Sequence, residues 1–250
     1  MYFRKTTHDE RTELARNLSN LILAKYTDSV LAVFIVGSTS KGLDRPYSDL
    51  EIVAIVRDGV TIPDKYYVHK GLIIEVAYPG ESAFLKAATR VGRDWPIEAD
   101  QYRNRVVLFE RDEWLKRLEE AVEQSDKADA SDAIRWAMVQ LTEGTSALLN
   151  AELTGDQMGM RTGGLYVAVD ATRVVFLLNR KYETTTSWVW KEALACPLQP
   201  RDFHNLIKTS AGFVQGSSEE IVAAAKQLHA GVLELVESRE ISIQSDELTV

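Results

Sequence analysis

Cysteine is nearly absent from this 250-residue sequence, which contains only Cys196. A single cysteine excludes an intramolecular disulfide framework and a cysteine-rich metal site, so we expect a protein of the reducing cytoplasm. Long apolar runs are missing too. None approaches the roughly 20 residues of a membrane span, and the start, MYFRKTTHDE, lacks the apolar core of a signal peptide. We therefore expect no membrane partner.

Basic residues are in the minority, with 29 Lys and Arg against 37 Asp and Glu and a net charge of −8. Proteins that bind nucleic acids use lysine and arginine to neutralise phosphates, so this balance argues against a nucleic-acid partner. The acid is also unevenly distributed: residues 1–125 carry a net charge of −2 and residues 126–250 a net charge of −6. This distribution favours a cationic partner.

Hydrophobic periodicity divides the chain into two halves. The first half opens with a capping-box helix from Thr7 to about Tyr26. It then predicts strands at 31–36, 50–56, 71–78 and 105–110, helices at 80–91 and 113–124, and a loop at 92–104. The polar segment 125–132 is interpreted as a linker. The second half predicts helices at 132–152, 157–180, 187–195, 201–213 and 217–239. We therefore expect two domains, residues 1–125 and 126–250.

The chemically informative pattern is a strand that ends at Gly37-Ser38, a ten-residue segment, and Asp49-Leu-Glu51 at the head of the next strand. Residues two apart point to the same face of a strand, so the two carboxylates lie close together and repel each other. A third carboxylate, Glu75, interrupts the apolar run of residues 72–77, where burial would be costly without a compensating cation. The pattern predicts a cation site.

A magnesium ion bound to a nucleoside triphosphate fits such a site, because Mg²⁺ binds both carboxylate and phosphate oxygens. Gly37 lets the backbone approach a phosphate, Ser38 and Ser48 offer hydroxyl donors, and Lys41 offers a positive charge. Each feature alone has a simpler explanation. Gly-Ser turns are common, and an Asp-x-Glu pair on an edge strand is usually solvated charge. Their combination favours a metal-dependent nucleotidyltransferase.

The Gly-Ser and Asp-x-Glu pattern resembles the signature of the polymerase-β-like nucleotidyltransferase superfamily. The stretches RPYSDLEIV, RDWPIEADQY and NRKYETTTSWVWKEAL are similar to the aminoglycoside 4'-O-nucleotidyltransferase (kanamycin nucleotidyltransferase) family. This resemblance implies an α+β fold in which an N-terminal mixed β-sheet with flanking helices precedes a C-terminal helical bundle. It also implies transfer of AMP from ATP, with one or two Mg²⁺ ions, to a hydroxyl of a cationic aminoglycoside. The family implies a homodimer with shared active sites.

The same resemblance assigns roles to residues. Asp49 and Glu51 are the expected metal ligands. The expected nucleotide contacts are Gly37, Ser38, Lys41, Ser48 and Thr185. Glu75 is expected to face the cationic substrate or to assist the metal, and Asp94 and Glu143 are expected to contact the substrate. Thr185 fits a helix N-cap equally well, and Asp94 fits a loop cap.

The family's general base is a glutamate on the first helix after the linker, and the matching acid here is Glu143. Its neighbours Thr142, Gly144, Thr145 and Ser146 are poor helix formers, a pattern typical of ligand approach. The alternative is a surface glutamate beside a slack turn. The family's triphosphate-binding lysine is missing at 147–150, so metal, Lys41, Arg180 or Lys181 must balance the phosphate charge.

Two other functions remain open. One is a nucleotidyltransferase that modifies a protein or RNA, although we find no basic run to form an RNA groove. The other is a catalytically silent, antitoxin-like binding module, although loss of the Asp-x-Glu pair would be its mark and both acids are present.

Overall fold

The computed structural model describes residues 3–244 and has the predicted α+β fold. Five strands in the first half of the chain form one sheet, and the regular elements described after it are helices. The strands are β1 (Val30–Ile35), β2 (Leu50–Val56), β3 (Lys65–His69), β4 (Leu72–Ala77) and β5 (Val106–Glu110).

The helices agree closely with the predicted helical segments, with two additions, α2 and α4. They are α1 (His8–Tyr26), α2 (Gly37–Ser40), α3 (Glu81–Ala88), α4 (Trp95–Arg103), α5 (Trp114–Lys127), α6 (Ser131–Thr154), α7 (Gln157–Leu178), α8 (Val189–Leu194), α9 (Phe203–Ser210) and α10 (Ser218–Glu237). Short 3₁₀ turns occur at Thr27–Ser29 and Thr186–Trp188. The predicted capping box of α1 is confirmed, because Thr7 and Glu10 each accept a hydrogen bond from the other's backbone N–H.

The sheet is mixed, with strand order β3-β4-β2-β1-β5. β2 and β4 run parallel, and the other neighbouring pairs are antiparallel. Every residue of β2 is buried except Glu51, which is half-buried. The central strand thus supplies both the core of this half of the molecule and one of the predicted metal ligands.

Helices cover the two faces of the sheet. On one face, Ala15 and Ile22 of α1 pack with Ile35 and Ile52. On the other face, helices α3 to α5 contribute an apolar cluster with Phe34, Val53 and Ile55; its helical members include Phe84, Tyr102, Trp114 and Leu118. The side chain of Glu51 shares this second face, because it lies two residues before Val53 on the same strand.

The helices after α5 form their own core. α6, α7 and α10 pack against one another, and α9 packs against α10. Gly164 of α7 lies against Ile221 and Ser210, and a Cβ there would come within 2.3 Å of the Ile221 side chain. Ser210 donates a hydrogen bond to the Gly164 carbonyl at 2.7 Å. A glycine is therefore required for α7 to approach its neighbours this closely.

One strand was missed by the sequence prediction. β3 covers the sequence KYYVH, which the prediction left as a connection between two strands. All five of its residues are exposed, because β3 is an edge strand of the sheet. The alternation of apolar and polar residues that indicates a half-buried strand is therefore absent.

The predicted loop at 92–104 was wrong, and the predicted linker at 125–132 was too long. The loop contains α4, in which Pro96 occupies the first turn, where its missing N–H breaks no hydrogen bond. Trp95, Ala99 and Tyr102 are buried at helical spacing. The linker is shorter than expected, because α5 extends to Lys127 and α6 begins at Ser131.

The chain divides into two compact units. One comprises the chain up to Arg90 together with Glu98–Ala128, and the other comprises Val91–Ile97 and the chain from Asp129 onward. The division predicted from sequence falls after residue 125, inside α5. Among the described residues, no helix is both long and apolar enough to cross a membrane.

Candidate active site

The Gly-Ser turn begins where β1 ends. Gly37 opens the one-turn helix α2 with a φ of +67°, a backbone conformation that favours glycine. A Cβ at this position would lie 1.7 Å from Glu51 Oε2, so the absent side chain leaves the space that the Glu51 carboxylate occupies. The Val36 N–H donates to the Glu51 carbonyl at 3.1 Å, which ties the turn to β2.

Acidic side chains gather on one face of the sheet beside this turn. Asp49 directly precedes β2 and Glu51 is its second residue, so the strand carries both side chains on the same face. In the strand register, Glu51 pairs with Glu75 of β4, and Glu75 pairs with Tyr66 of β3. The sequence spacing therefore predicted this grouping correctly.

The burial expected for Glu75 was wrong. Its side chain is exposed, while its neighbours Ile74 and Val76 are buried on the opposite face of β4. Along the run LIIEVA, successive side chains point to alternate faces of the sheet. Glu75 lies on the face that the helices cover only partly at β4. No burial cost has to be compensated at Glu75, and its relevance rests on its position beside Glu51.

The electrostatics of the site concentrate on Glu51. Burial of its carboxyl group, together with the negative charges of Asp49 and Glu75, raises the pKa of Glu51 to about 7. The positive charge of Lys41 acts in the opposite direction, and Asp100 adds to the rise. A cation beside these carboxylates would relieve this repulsion.

Asp49 and Glu51 fit a magnesium ion by their chemistry. Among residues 3–244, no group of three or more His, Cys, Asp or Glu side chains is arranged to hold a metal. Two carboxylates are nevertheless a usual protein contribution to Mg²⁺, with substrate phosphates and waters supplying the other oxygens. The raised pKa of Glu51 and the position of its carboxylate against Gly37 are consistent with this role.

Lys41 is held by residues that the sequence reasoning missed. Its ammonium forms an ion pair with Asp100 of α4, and both side chains are about one-tenth exposed. Asn104 donates to the other oxygen of Asp100 at 2.7 Å, and Ser40 donates to the Asn104 carbonyl at 3.0 Å. Asp100 stands in the RDWPIEADQY stretch, but recognising its role required knowing that this stretch is helical.

The segment between α2 and β2 is fixed by a buried ion pair. Arg11 of α1 donates to Asp44 through Nε at 2.8 Å and through Nη2 at 2.5 Å, and His8 contacts the other oxygen at 2.8 Å. Burial of Asp44 opposes ionisation, but the hydrogen bonds from His8 and Arg11 outweigh it and lower the pKa of Asp44. Ser48 lies in the same segment, where its hydroxyl accepts from the Arg45 N–H at 2.9 Å.

A cavity of about 350 Å³ lies on the same face of the sheet, further along β2 and β4 than the carboxylates. Its wall includes Val53 and Ala77, which follow Glu51 and Glu75 by two residues and so share their face of the sheet. The remaining lining includes Phe84, Gln101 and Tyr102, from α3 and α4. The volume falls within the range of small-molecule sites.

Glu143 lies in the second unit, exposed on α6. Gln140 donates to its carboxylate at 3.1 Å. The slack turn of the alternative interpretation is absent, because α6 continues unbroken through these residues. The hydroxyls of Thr142, Thr145 and Ser146 each donate to the carbonyl four residues earlier, which satisfies the polar groups inside the helix.

Asp94 and Thr185 also lie in the second unit. Asp94 accepts from Arg93, with distances of 2.7 to 3.2 Å, and these hydrogen bonds lower the pKa of Asp94. Thr185 occupies the N-cap position of the turn Thr186–Trp188, but its side chain does not cap the turn. Its hydroxyl lies 3.4 Å from that of Ser187. The Arg180 guanidinium stacks over the Trp95 ring at 5.1 Å.

Comparison with known proteins defines the class first and the family second. A crystal structure of a nucleotidyltransferase-like protein from Exiguobacterium sibiricum 255-15 matches with a TM-score of 0.54 and 15% identity, over 90% of this chain and 75% of that one. The fold is therefore that of nucleotidyltransferase-like proteins.

The family follows from the sequence. Residues 112–242 match the KNTase C-terminal domain family. Because this segment is more than half of the 250 residues, the chain belongs to that family, and the resemblance predicted from sequence is confirmed. Two relatives named "Aminoglycoside nucleotidyltransferase (4')", from Staphylococcus aureus and Bacillus sp, are each 23% identical over 232 residues, which is 92% of this chain and 92% of theirs.

Proposed function

We propose that this protein transfers AMP from Mg-ATP to a hydroxyl, at the 4' position, of an aminoglycoside, with release of pyrophosphate. The observation that carries the proposal is that Asp49 and Glu51 share one face at the head of β2, where the Glu51 carboxylate lies against the glycine turn. The names of the two relatives support the choice of acceptor.

Asp49 and Glu51 would hold a magnesium ion through their carboxylate oxygens. There the ion would supply positive charge to offset the negative charge that develops on the leaving pyrophosphate. The turn at Gly37 and Ser38 contacts the nucleotide together with Lys41, Ser48 and Thr185. The positive charge of Lys41 also favours the ionised form of Glu51.

The acceptor hydroxyl attacks the α-phosphorus in line with the leaving pyrophosphate, and the Glu143 carboxylate accepts its proton. General-base help of this kind is worth about 10²–10⁴-fold in rate. Glu75 and Asp94 contact the acceptor. Glu75 presents an exposed carboxylate to ammonium groups, and the net charge of −6 on residues 126–250 favours approach of a polycation. We propose that the protein acts as a homodimer with shared active sites.

The acceptor is tested by incubating the chain with labelled ATP, Mg²⁺ and a panel of aminoglycosides. We expect labelled AMP on kanamycin, amikacin or tobramycin. Label on protein or RNA instead would point to another acceptor, and no transfer to any acceptor would contradict the proposal. The matched variants are Asp49→Asn, which we expect to abolish transfer, and Asp28→Asn, an exposed carboxylate of the same unit that we expect to have no effect.

The base is tested by Glu143→Ala. We expect a rate loss of at least about a hundredfold with unchanged ATP binding, because a proton acceptor contributes to the transition state and not to nucleotide affinity. Glu152→Ala, on the same helix, removes an exposed ion pair with Lys226 and serves as the control. A Glu143→Ala enzyme as fast as the unmodified chain would show that another group is the base.

A further inference from the structure

The ion pair between Lys41 and Asp100 is shielded from solvent, because both side chains are about nine-tenths buried. An ammonium that loses its partner in such surroundings is strongly unfavourable, so Lys41 has to lie beside some carboxylate. Asp100 contacts it directly, and the Glu51 carboxylate lies against Gly37, at the start of the one-turn helix α2 whose C-cap residue is Lys41. Among the described residues, Lys41 forms its ion pair with Asp100 and none with Glu51.

Asp100 is itself firmly held. One of its oxygens accepts from Lys41 and the other from Asn104 at 2.7 Å. Ser40, the residue before Lys41, donates to the Gly37 carbonyl at 2.9 Å and to the Asn104 carbonyl at 3.0 Å. The end of α4 thus holds the backbone of the glycine turn and the side chain of Lys41 together.

We propose that Asp100 is a positioning residue that keeps the Lys41 ammonium at the glycine turn and away from Glu51. Without the Asp100 charge, Lys41 pairs with Glu51, the carboxylate that lies against the same glycine turn. An ammonium on Glu51 competes for the oxygens that a magnesium ion requires. Asp100 therefore leaves Glu51 available to the metal and Lys41 available to phosphate. This inference rests on the nucleotidyltransferase function proposed above.

The test is a double-mutant cycle on binding, without turnover. Calorimetry measures the affinity for a nonhydrolysable ATP analogue with Mg²⁺ in four proteins: the unmodified chain, Asp100→Asn, Lys41→Met and the double variant. We expect Asp100→Asn to weaken binding about tenfold, the scale of one charge-assisted hydrogen bond. Because Asp100 acts through Lys41, adding Asp100→Asn to Lys41→Met should change the affinity by less than about twofold.

Glu81→Gln is the matched control. Glu81 lies in the same unit, has a side chain 16% exposed and forms an ion pair with Arg117 at 2.7 Å, so its neutralisation removes a comparable charge away from the site. We expect unchanged affinity. Thermal unfolding is measured for every variant. If Asp100→Asn does not fold, Asp100→Glu replaces it, with a smaller loss expected that again vanishes when Lys41 is methionine.

The outcomes separate the two proposals. If the unmodified chain does not bind the nucleotide, the proposed function is wrong, and this inference falls with it. If the unmodified chain binds and Asp100→Asn binds equally well, only the inference is overturned. An Asp100→Asn effect of the same size with and without Lys41 would also overturn it, because Asp100 would then not act through Lys41.

Discussion

At the scale of single residues, Gly37 determines whether Glu51 can occupy its place. We predict that Gly37→Ala lowers affinity for Mg²⁺ and an ATP analogue at least about tenfold, because the new Cβ falls 1.7 Å from Glu51 Oε2 and must displace the carboxylate. The φ of +67° adds about 1–2 kcal/mol of backbone strain. Calorimetry measures the loss of affinity, and chemical denaturation measures the loss of stability.

The chain offers a control for the strain alone. Gly59 has a φ of +83°, and a Cβ there would meet nothing within 4 Å. Gly59→Ala should therefore lose a similar amount of stability while its nucleotide affinity stays unchanged. Equal loss of affinity in both variants would contradict a specific role for the space at Gly37.

The raised pKa of Glu51 predicts a pH dependence of metal binding. Protons compete with the metal for this carboxylate, whose pKa is about 7. At pH 6 most of the Glu51 side chains are protonated, and at pH 8 most are ionised, so affinity for Mn²⁺ should rise about tenfold between these values. Titration of the chain with Mn²⁺, monitored by electron paramagnetic resonance, measures this affinity at each pH. Equal affinity at both pH values would contradict the assignment.

The raised pKa of Glu51 has the opposite consequence for the metal-free protein, whose folding stability falls as pH rises. Glu51 binds its proton more tightly in the folded state than an ordinary glutamate does, whose pKa is 4.5. Between about pH 4.5 and pH 7 the folded chain therefore holds a proton that the unfolded chain has released, and this contribution to folding is lost as pH rises. Bound magnesium removes the loss by pairing with the ionised carboxylate.

At the scale of elements, α1 fixes the segment that leads into β2. Arg11→Met leaves the carboxylate of Asp44 buried without the guanidinium, and we predict that it lowers the free energy of unfolding by about 3 kcal/mol. Arg57→Met is the control, because its ion pair with Asp112 is exposed and should contribute less than about 1 kcal/mol. Urea denaturation compares the two, and equal losses would contradict the special role of the buried pair.

The elements also show what sequence patterns reveal and what they conceal. The apolar run of β2 and the capping box of α1 were predicted correctly, because burial and capping leave local signals. β3 left none, since all its residues are exposed. In α4 the helical spacing of Trp95, Ala99 and Tyr102 was present but was overlooked beside Pro96.

The candidate site, like the fold, could be predicted only in part from the sequence. The two-residue spacing placed Asp49 and Glu51 on one face, and the strand register added Glu75. The exposure of Glu75 followed from which part of the sheet the helices leave uncovered, which no local pattern specifies. The pairing of Lys41 with Asp100 joins residues 59 positions apart and depends on the tertiary packing of α4.

At the scale of the whole molecule, the proposed roles are divided between the two compact units. The first unit holds the expected metal ligands, the glycine turn and Lys41, whereas Glu143, Asp94 and Thr185 belong to the second. The fold alone does not specify a substrate, because related folds serve different chemistries. The functional account therefore depends on the chemistry at the carboxylates more than on the structural likeness.

The most direct measurement is a crystal structure of the chain with Mn²⁺ and a nonhydrolysable ATP analogue. The account predicts an anomalous peak about 2.0–2.3 Å from carboxylate oxygens of both Asp49 and Glu51, with a phosphate oxygen completing the coordination. A nucleotide bound with its metal elsewhere, or carboxylates turned to solvent with no ion beside them, would contradict it.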